Sequence, residues 1–294
     1  MQKTKDILKE VRKLEFRTKN LVDGLISGAY HSVFRGRGIE FSEVREYVPG
    51  DDVRTIDWNV TARMNEPYVK EYIEERDLTI YIVFDISASG EFGNIRSKKQ
   101  TALEIAASFM FSALRNNDNI SLVLFSEDIE KYFPPKKGKR HVLRLVREMI
   151  YTEPEKKGTN ITDTLKALSR LIHKRSIIFL ISDFMSKDDF SKGLKILKKR
   201  NDVISIVLQD DVERDFPDIG LVELEDEETG EQMLVDTSDE QFRKNYVNIV
   251  KDHYDNITKI LKKLKVDSVM VDTGKSFELP LRKFFRYREK MINR

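Results

Sequence analysis

From residue 78 onward the hydrophobic positions fall into short unbroken runs separated by longer stretches with a period near 3.6. Residues 78–84 (Leu-Thr-Ile-Tyr-Ile-Val-Phe) carry no charge and stop at Asp85. A run of that length, rich in β-branched and aromatic side chains, predicts a strand buried on both faces at the centre of a parallel sheet. Similar runs predict strands at 120–125, 176–182, 203–208 and 266–271, and 129–133 reads as a short antiparallel partner ahead of Pro134-Pro135. Between them, apolar residues at helical spacing predict helices over 97–115 (Leu103, Ala106, Met110, Ala113), 141–150, 161–173 and 239–265, with another marked by Phe190, Leu194 and Leu197. Residues 221–224 and 232–235 flank Glu228-Thr-Gly230-Glu and predict a hairpin. Strands alternating with helices in this order predict an α/β fold, a doubly wound and mainly parallel sheet with helices on both faces.

Upstream the texture differs. Ile7, Val11, Leu14, Thr18 and Leu21, at steps of four and three, make one apolar stripe over residues 3–22, widened by Leu8 and Val22. The stripe predicts a helix docked on its own protein, because a short helix needs tertiary packing. Residues 30–34 and 39–48 read as arms of a hairpin around Gly36-Arg-Gly38, and Pro49-Gly50-Asp51-Asp52 as a turn. Residues 56–63 read as a short helix capped by Asp57 or Thr55, and 67–73 as an alternating strand. The expected organisation is an N-terminal helix with a small β-rich extension (1–76), an α/β domain (77–274), and a basic tail (275–294) packing back on the protein.

Composition narrows the function classes. The 294 residues are 40% hydrophobic and 35% charged with a net charge of +2, which gives no global reason to attract nucleic acid or an anionic membrane. No stretch approaches 18 consecutive apolar residues and no export signal is visible, so the expected compartment is the cytoplasm. The absence of cysteine excludes disulfides, thiolate metal sites and a cysteine nucleophile. His31, His141, His173 and His253 are scattered without a spacing that suggests shared ligands. A P-loop, a Gly-x-Ser-x-Gly elbow and a dinucleotide fingerprint are all missing.

The candidate chemistry lies at strand ends. Two predicted buried strands stop at aspartates, Asp85 and Asp183; Ser87 and Ser89 follow the first at alternate positions, and Gly158-Thr159 lies between the strands in sequence. In open α/β sheets ligands bind beyond the carboxyl ends of the strands, so Asp85, Ser87, Ser89, Thr159 and Asp183 are expected to converge at one sheet edge. Two carboxylates with three hydroxyls, and no nitrogen or sulfur, form a hard-oxygen set suited to Mg²⁺, Mn²⁺ or Ca²⁺ and poor for Zn²⁺. The competing reading is local: Asp and Ser side chains at a strand end often do no more than cap the following turn.

Asp85-x-Ser87-x-Ser89, the later Thr159, and Asp183 after a hydrophobic strand resemble the metal-ion-dependent adhesion site (MIDAS) of von Willebrand factor type A domains over roughly residues 78–272. Gly36-Arg-Gly38-Ile-Glu40-Phe41, Arg45-Glu-Tyr47, Gly50-Asp51-Asp52-x-Arg54-x-Ile56-Asp57-Trp58 and Ala62-Arg63, with the terminal Leu279-Pro-Leu-Arg-Lys-Phe-Phe-Arg, resemble the signature of the domain of unknown function 58 family. Members of that family are commonly linked to MoxR-type AAA+ ATPases. The resemblance implies a Rossmann-type, von Willebrand factor A-like fold. It also implies that Ser87, Ser89 and Thr159 touch a metal directly, that Asp85 and Asp183 act mainly through water, and that a partner's Asp or Glu completes the shell. The implied function is a non-catalytic, metal-dependent protein-interaction module, working with the ATPase in assembly or maturation of other complexes. Lys157 departs from the pattern, standing where such loops often carry a second glycine.

Two other classes compete. A Mg²⁺-dependent phosphohydrolase of the haloacid dehalogenase type also begins with a strand-end aspartate, but it needs an acid two residues later, where Ser87 stands. A nucleic-acid binder would use the tail, where Phe284, Phe285 and Tyr287 lie among cations; packing of those aromatics on the domain is the alternative. Trp58 reads as a packing anchor or, alternatively, as an exposed partner contact. Arg37, Arg45, Arg54 and Arg63 read as ion-pair partners of Glu40, Glu43, Asp51 and Asp57 in preference to phosphate ligands.

Overall fold

The computed structural model describes residues 11, 13–18, 39–74, 78–91, 96–156, 158–186, 188–225 and 230–292. The chain divides into two compact units, Phe34–Leu78 and a larger one of Thr79–Arg294 with Met1–Val33. The N-terminal stripe thus groups with the α/β part and not with the β-rich extension. Its described residues are helical, with Val11 and Thr18 buried and Arg17 paired to Glu104 at 3.1 Å. Ile7, Leu8, Leu21 and Val22 lie outside the described residues.

In the smaller unit β1 (Ile39–Glu46) pairs antiparallel with β2 (Tyr68–Glu74), with a bulge between Phe41 and Glu43. The arm 30–34 of the expected hairpin lies outside the described residues; among the described residues, the partner of β1 comes from across the intervening helix. That helix, α1 (Trp58–Met64), is capped by Asp57, which accepts from the amides of Asn59 and Val60. Arg45 grips Asp51 with two hydrogen bonds of 2.7 and 2.8 Å, which with the Val48 amide hold that carboxyl down at about 2. Trp58 is 69% exposed.

The larger unit runs, in order, β3 (Thr79–Asp85), α2 (Lys98–Arg115), β4 (Asn119–Phe125), β5 (Ile129–Lys136), α3 (Lys139–Tyr151), α4 (Ile161–Leu171), β6 (Ile177–Ser182), α5 (Ser191–Lys198) and β7 (Asp202–Gln209). A short α6 (Asp211–Arg214), β8 (Leu221–Glu225), β9 (Gln232–Asp236), α7 (Glu240–Lys263), β10 (Asp267–Asp272) and α8 (Glu278–Ile292) follow. Six strands form one sheet in the order β10-β7-β6-β3-β4-β5, parallel except for β5. Counted within the domain this is the doubly wound order 3-2-1-4-5-6, and it reverses between β3 and β6. The fold is α/β, with a doubly wound and mainly parallel sheet.

Alternation along the strands sorts the helices. Tyr81, Val83, Ile178 and Leu180 enter a core with Leu165 of α4, Leu194 of α5 and Tyr254 and Ile257 of α7. Phe179 points the other way and stacks on Phe109 of α2 at 4.1 Å, and Phe109 meets Phe285 of α8 edge-on at 6.1 Å. Leu281 and Phe285 bury α8 there, and Arg288 ties it to Asp202 (2.7 Å) and Asp267 (3.2 Å). Of the tail aromatics, Phe285 is 1% exposed but Tyr287 is 62% exposed. No helix of the described residues is long and apolar enough to cross a membrane.

Candidate functional site

β3 and β6 are neighbours with aspartates at their carboxyl ends, so Asp85 and Asp183 meet where the strand order reverses. A pocket there is lined by Asp85, Ser87, Ser89, Lys98, Ser182 and Asp183, with Gly90, Lys99, Ala102 and Leu208 at its margins. Asp85 is held on both oxygens. Its Oδ1 accepts from the Ser87 amide at 2.9 Å, and its Oδ2 accepts from the Ser182 hydroxyl at 2.6 Å. Burial and the neighbouring Asp183 carboxylate push Asp85 up to about 7. The Ser87 and Ser89 hydroxyls hydrogen-bond to each other at 3.1 Å, at the start of the 3₁₀ turn Ala88–Glu91.

The Asp183 side is organised differently. Asp183 Oδ1 accepts from the Met185 amide at 3.0 Å, and its Oδ2 accepts from Lys98 Nζ at 3.0 Å. The same ammonium donates to Glu213 Oε1 at 2.6 Å. Lys98, in the first turn of α2, is only 2% exposed. Burial works against its charge, but the carboxylates of Asp183 and Glu213 outweigh that and raise its pKa. Glu213 Oε2 in turn accepts from the Asp210 amide (2.9 Å) and from Tyr254 of α7 (2.8 Å). Phe184 follows Asp183 with a φ of 59°, an uncommon conformation for a bulky residue; Ser182 Oγ accepts its amide at 2.8 Å and its ring packs on Phe190 at 5.2 Å.

Four of the five sequence-predicted residues line this pocket, and Thr159 does not. Thr159 sits half-buried in the loop before α4, where its carbonyl accepts from Ser186 Oγ at 3.3 Å and the following Asn160 amide donates to the Ser126 carbonyl at 3.0 Å. The loop is therefore laced to the segment after Asp183. Lys157 lies outside the described residues. Of the histidines, His141 Nε2 lies 2.8 Å from the Ile120 carbonyl, His173 is exposed, and burial holds half-buried His253 below its usual pKa.

Sequence reasoning missed Lys98, Ser182 and Glu213. A signal existed for each. Lys98 opens the helix after the first strand, whose first turn faces the crevice in a doubly wound sheet. Ser182 precedes the strand-end aspartate. Glu213 completes a capping box with Asp210, itself a third aspartate at a strand end.

The donor set fits a hard divalent ion on three counts. Neighbouring ligands on an octahedral ion with bonds of about 2.1 Å are about 3.0 Å apart, close to the Ser87–Ser89 separation. Every side-chain donor is oxygen. The buried Asp85 carboxyl is held by hydroxyl and amide donors, while Lys98 pairs with Asp183 and Glu213. Among the described residues no three His, Cys, Asp or Glu side chains gather as a metal-binding group, so any ion here depends on the hydroxyls.

Residues 43–256 match the family described as "Protein of unknown function DUF58". An uncharacterized protein of Mycobacterium tuberculosis is 31% identical over 224 residues, which cover 75% of this chain and 70% of the relative. The uncharacterized protein YeaD of Bacillus subtilis is 26% identical over 108 residues, 37% of this chain and 25% of its own. Among solved structures, the conserved hypothetical protein BatB of Bacteroides thetaiotaomicron aligns over 72% of this chain and 99% of its own, at 15% identity and a TM-score of 0.46. The VWA domain of SpRpn10 aligns over 72% and 94%, at 10% identity and a TM-score of 0.37. With the family matched across most of its length, the chain belongs to the DUF58 family.

Proposed function

We propose that the protein is a non-catalytic binding module that holds a divalent cation at the β3–β6 edge and grips a partner's Asp or Glu through it. It would work in the cytoplasm beside a MoxR-type AAA+ ATPase, in assembly or maturation of other complexes. The observation that carries this is the pair of hydroxyls 3.1 Å apart beside the buried Asp85 carboxyl at the end of β3. Ser87 and Ser89 would hold the ion directly, with Thr159 reaching in from its loop, and Asp85 and Asp183 would act through water. The bound ion supplies an open position for an anionic oxygen. Lys98 neutralises Asp183 and locks it in place, while the Ser182 hydroxyl aims Asp85.

Lys98 also supports a second reading. Its ammonium is a resident cation, and a closed Lys98–Asp183–Glu213 cluster can stand without metal as a structural core. Calorimetric titration with Mg²⁺ and Mn²⁺ separates the two. The metal reading expects binding that Asp85→Ala removes, and recovery of the MoxR-type ATPase or its client that falls with chelator as far as it falls in Asp85→Ala. Equal recovery in all arms, with no heat of Mg²⁺ binding, selects the structural reading. Turnover of a phosphomonoester that Asp85→Asn abolishes would overturn the non-catalytic assignment.

A further inference from the structure

The net charge of +2 conceals two opposed surfaces. Residues 221–240 hold nine acidic side chains and no basic one. They include the antiparallel ribbon β8–β9, which forms a two-stranded sheet of its own. Thr237 closes its base: its amide and hydroxyl both donate to the Gly220 carbonyl, and its hydroxyl accepts the Ile219 amide. Phe216, just upstream, packs on Phe242 and Tyr246 at the start of α7. Pairing of Val222 with Val235 puts their side chains on the inner face, while Leu221, Glu223 and Leu234 share the outer face. All three are exposed, Leu221 and Leu234 by 69% and 70%.

α8 is the complement. Its sequence carries five basic and two acidic residues. Leu279, Lys283, Arg286, Tyr287, Lys290 and Met291 are its exposed positions, and their spacing of three and four places them on one face, opposite buried Leu281 and Phe285. That face presents cations and large apolar side chains together, as the ribbon presents carboxylates and large apolar side chains. Lengths agree as well, since 15 helical residues span about 22 Å and five-residue strands about 17 Å.

Within one copy the two are anchored on opposite faces of the sheet. α8 packs with α2 on the Phe109–Phe179 face of the sheet, whereas the ribbon is rooted at the start of α7, which packs on the opposite face. We infer that the acidic, apolar ribbon β8–β9 of one copy docks on the basic, apolar face of α8 of a second copy. An anionic lipid surface would satisfy α8 alone and repel the ribbon; a second copy satisfies both surfaces by one contact. The contact joins different patches, so copies add head to tail into rings or open chains. A footprint of a few hundred Å² per partner is well below the roughly 800 Å² of a standard interface, which makes the association weak and salt-sensitive.

Sedimentation velocity of the full chain tests this, over a concentration series at about 10 mM and about 1 M salt, where the screening lengths are about 30 and 3 Å. The expected result is a mass that rises with concentration at low salt and returns to monomer at high salt. Glu223→Lys/Glu225→Lys and Lys283→Glu/Arg286→Glu should each be monomeric alone, and mixing the two should restore association, because each then supplies the surface the other has lost. Restoration also shows that both variants are folded. A monomer under every condition, association indifferent to either variant, or a mixture that stays monomeric overturns the inference. So does binding to phosphatidylserine vesicles that is lost in the helix variant, kept in the ribbon variant and unaccompanied by self-association.

Discussion

Lys98 places an ammonium between Asp183 and Glu213 at 3.0 and 2.6 Å with almost no access to water. Removing one partner of such a pair leaves buried charges uncompensated, which costs about 3–5 kcal/mol. Lys98→Met should lower the urea unfolding free energy by that amount, and adding Asp183→Asn and Glu213→Gln should recover most of it. Asp85 acts in the opposite sense. Its folded pKa of about 7 lies above the ordinary 3.8, so between those values the native chain keeps a proton that the unfolded chain has released. Without divalent ions, stability should therefore fall as pH rises from about 4 to about 7, and Asp85→Asn should flatten that slope in denaturation curves taken across the window. At this scale the sequence disclosed Asp85, Ser87, Ser89 and Asp183, because strand-end placement needs only a hydrophobic run and its stop. It hid Lys98 and Glu213, because a lysine in a helix's first turn and a glutamate in a capping box look the same whether they face solvent or a crevice. Their pairing spans 115 residues and exists only once the sheet is assembled.

At the scale of elements, the buried strands were legible to within a residue or two. Ile177–Ser182 is buried at every position and has no other way to satisfy so many apolar side chains. The β-rich extension was less legible. The alternation in residues 39–48 and 67–73 predicts both strands, but not that they pair with each other across α1. Short-range turn signals carry no information about pairings that skip over a helix. The tail shows the same limit: helical spacing separates its buried from its exposed side, but not which aromatic falls on which. Phe285 meets Phe109 and Phe284, at 6.1 and 5.3 Å, while Tyr287 stands largely in solvent. Phe285→Ala should cost about 3–5 kcal/mol by opening a cavity beneath α8. Tyr287→Ala should change unfolding by no more than about 0.5 kcal/mol, the usual range for a surface position. Paired thermal melts read both, and a large loss for Tyr287→Ala would place that face of α8 in contact with something other than water.

For the molecule as a whole, the reversal of strand order between β3 and β6 decides where chemistry can occur, since it opens a crevice that no helix crosses over. The carboxylates and hydroxyls of that crevice come from two stretches nearly a hundred residues apart and come together only in the folded state. An ion bound there therefore binds the native state and not the unfolded one, and it must stabilise by RT ln(1 + [ion]/Kd), about 2.7 kcal/mol when the free ion stands at about 100-fold its Kd. The acidic ribbon complicates a naive version of the test. Nine carboxylates within 20 residues attract Mg²⁺ weakly wherever the chain is, folded or not. Those two contributions differ in what removes them. Stabilisation by Mg²⁺ that vanishes in Ser87→Ala/Ser89→Ala, variants that change no charge, comes from the crevice, whereas stabilisation that survives them and disappears in Glu223→Lys/Glu225→Lys comes from the ribbon. Urea titrations of the three proteins with and without Mg²⁺ should show the first pattern. The hydroxyl pair is the sharper probe because its loss leaves the Lys98 cluster and the Asp85 carboxylate in place, so that a vanished response reports coordination and not a collapsed fold.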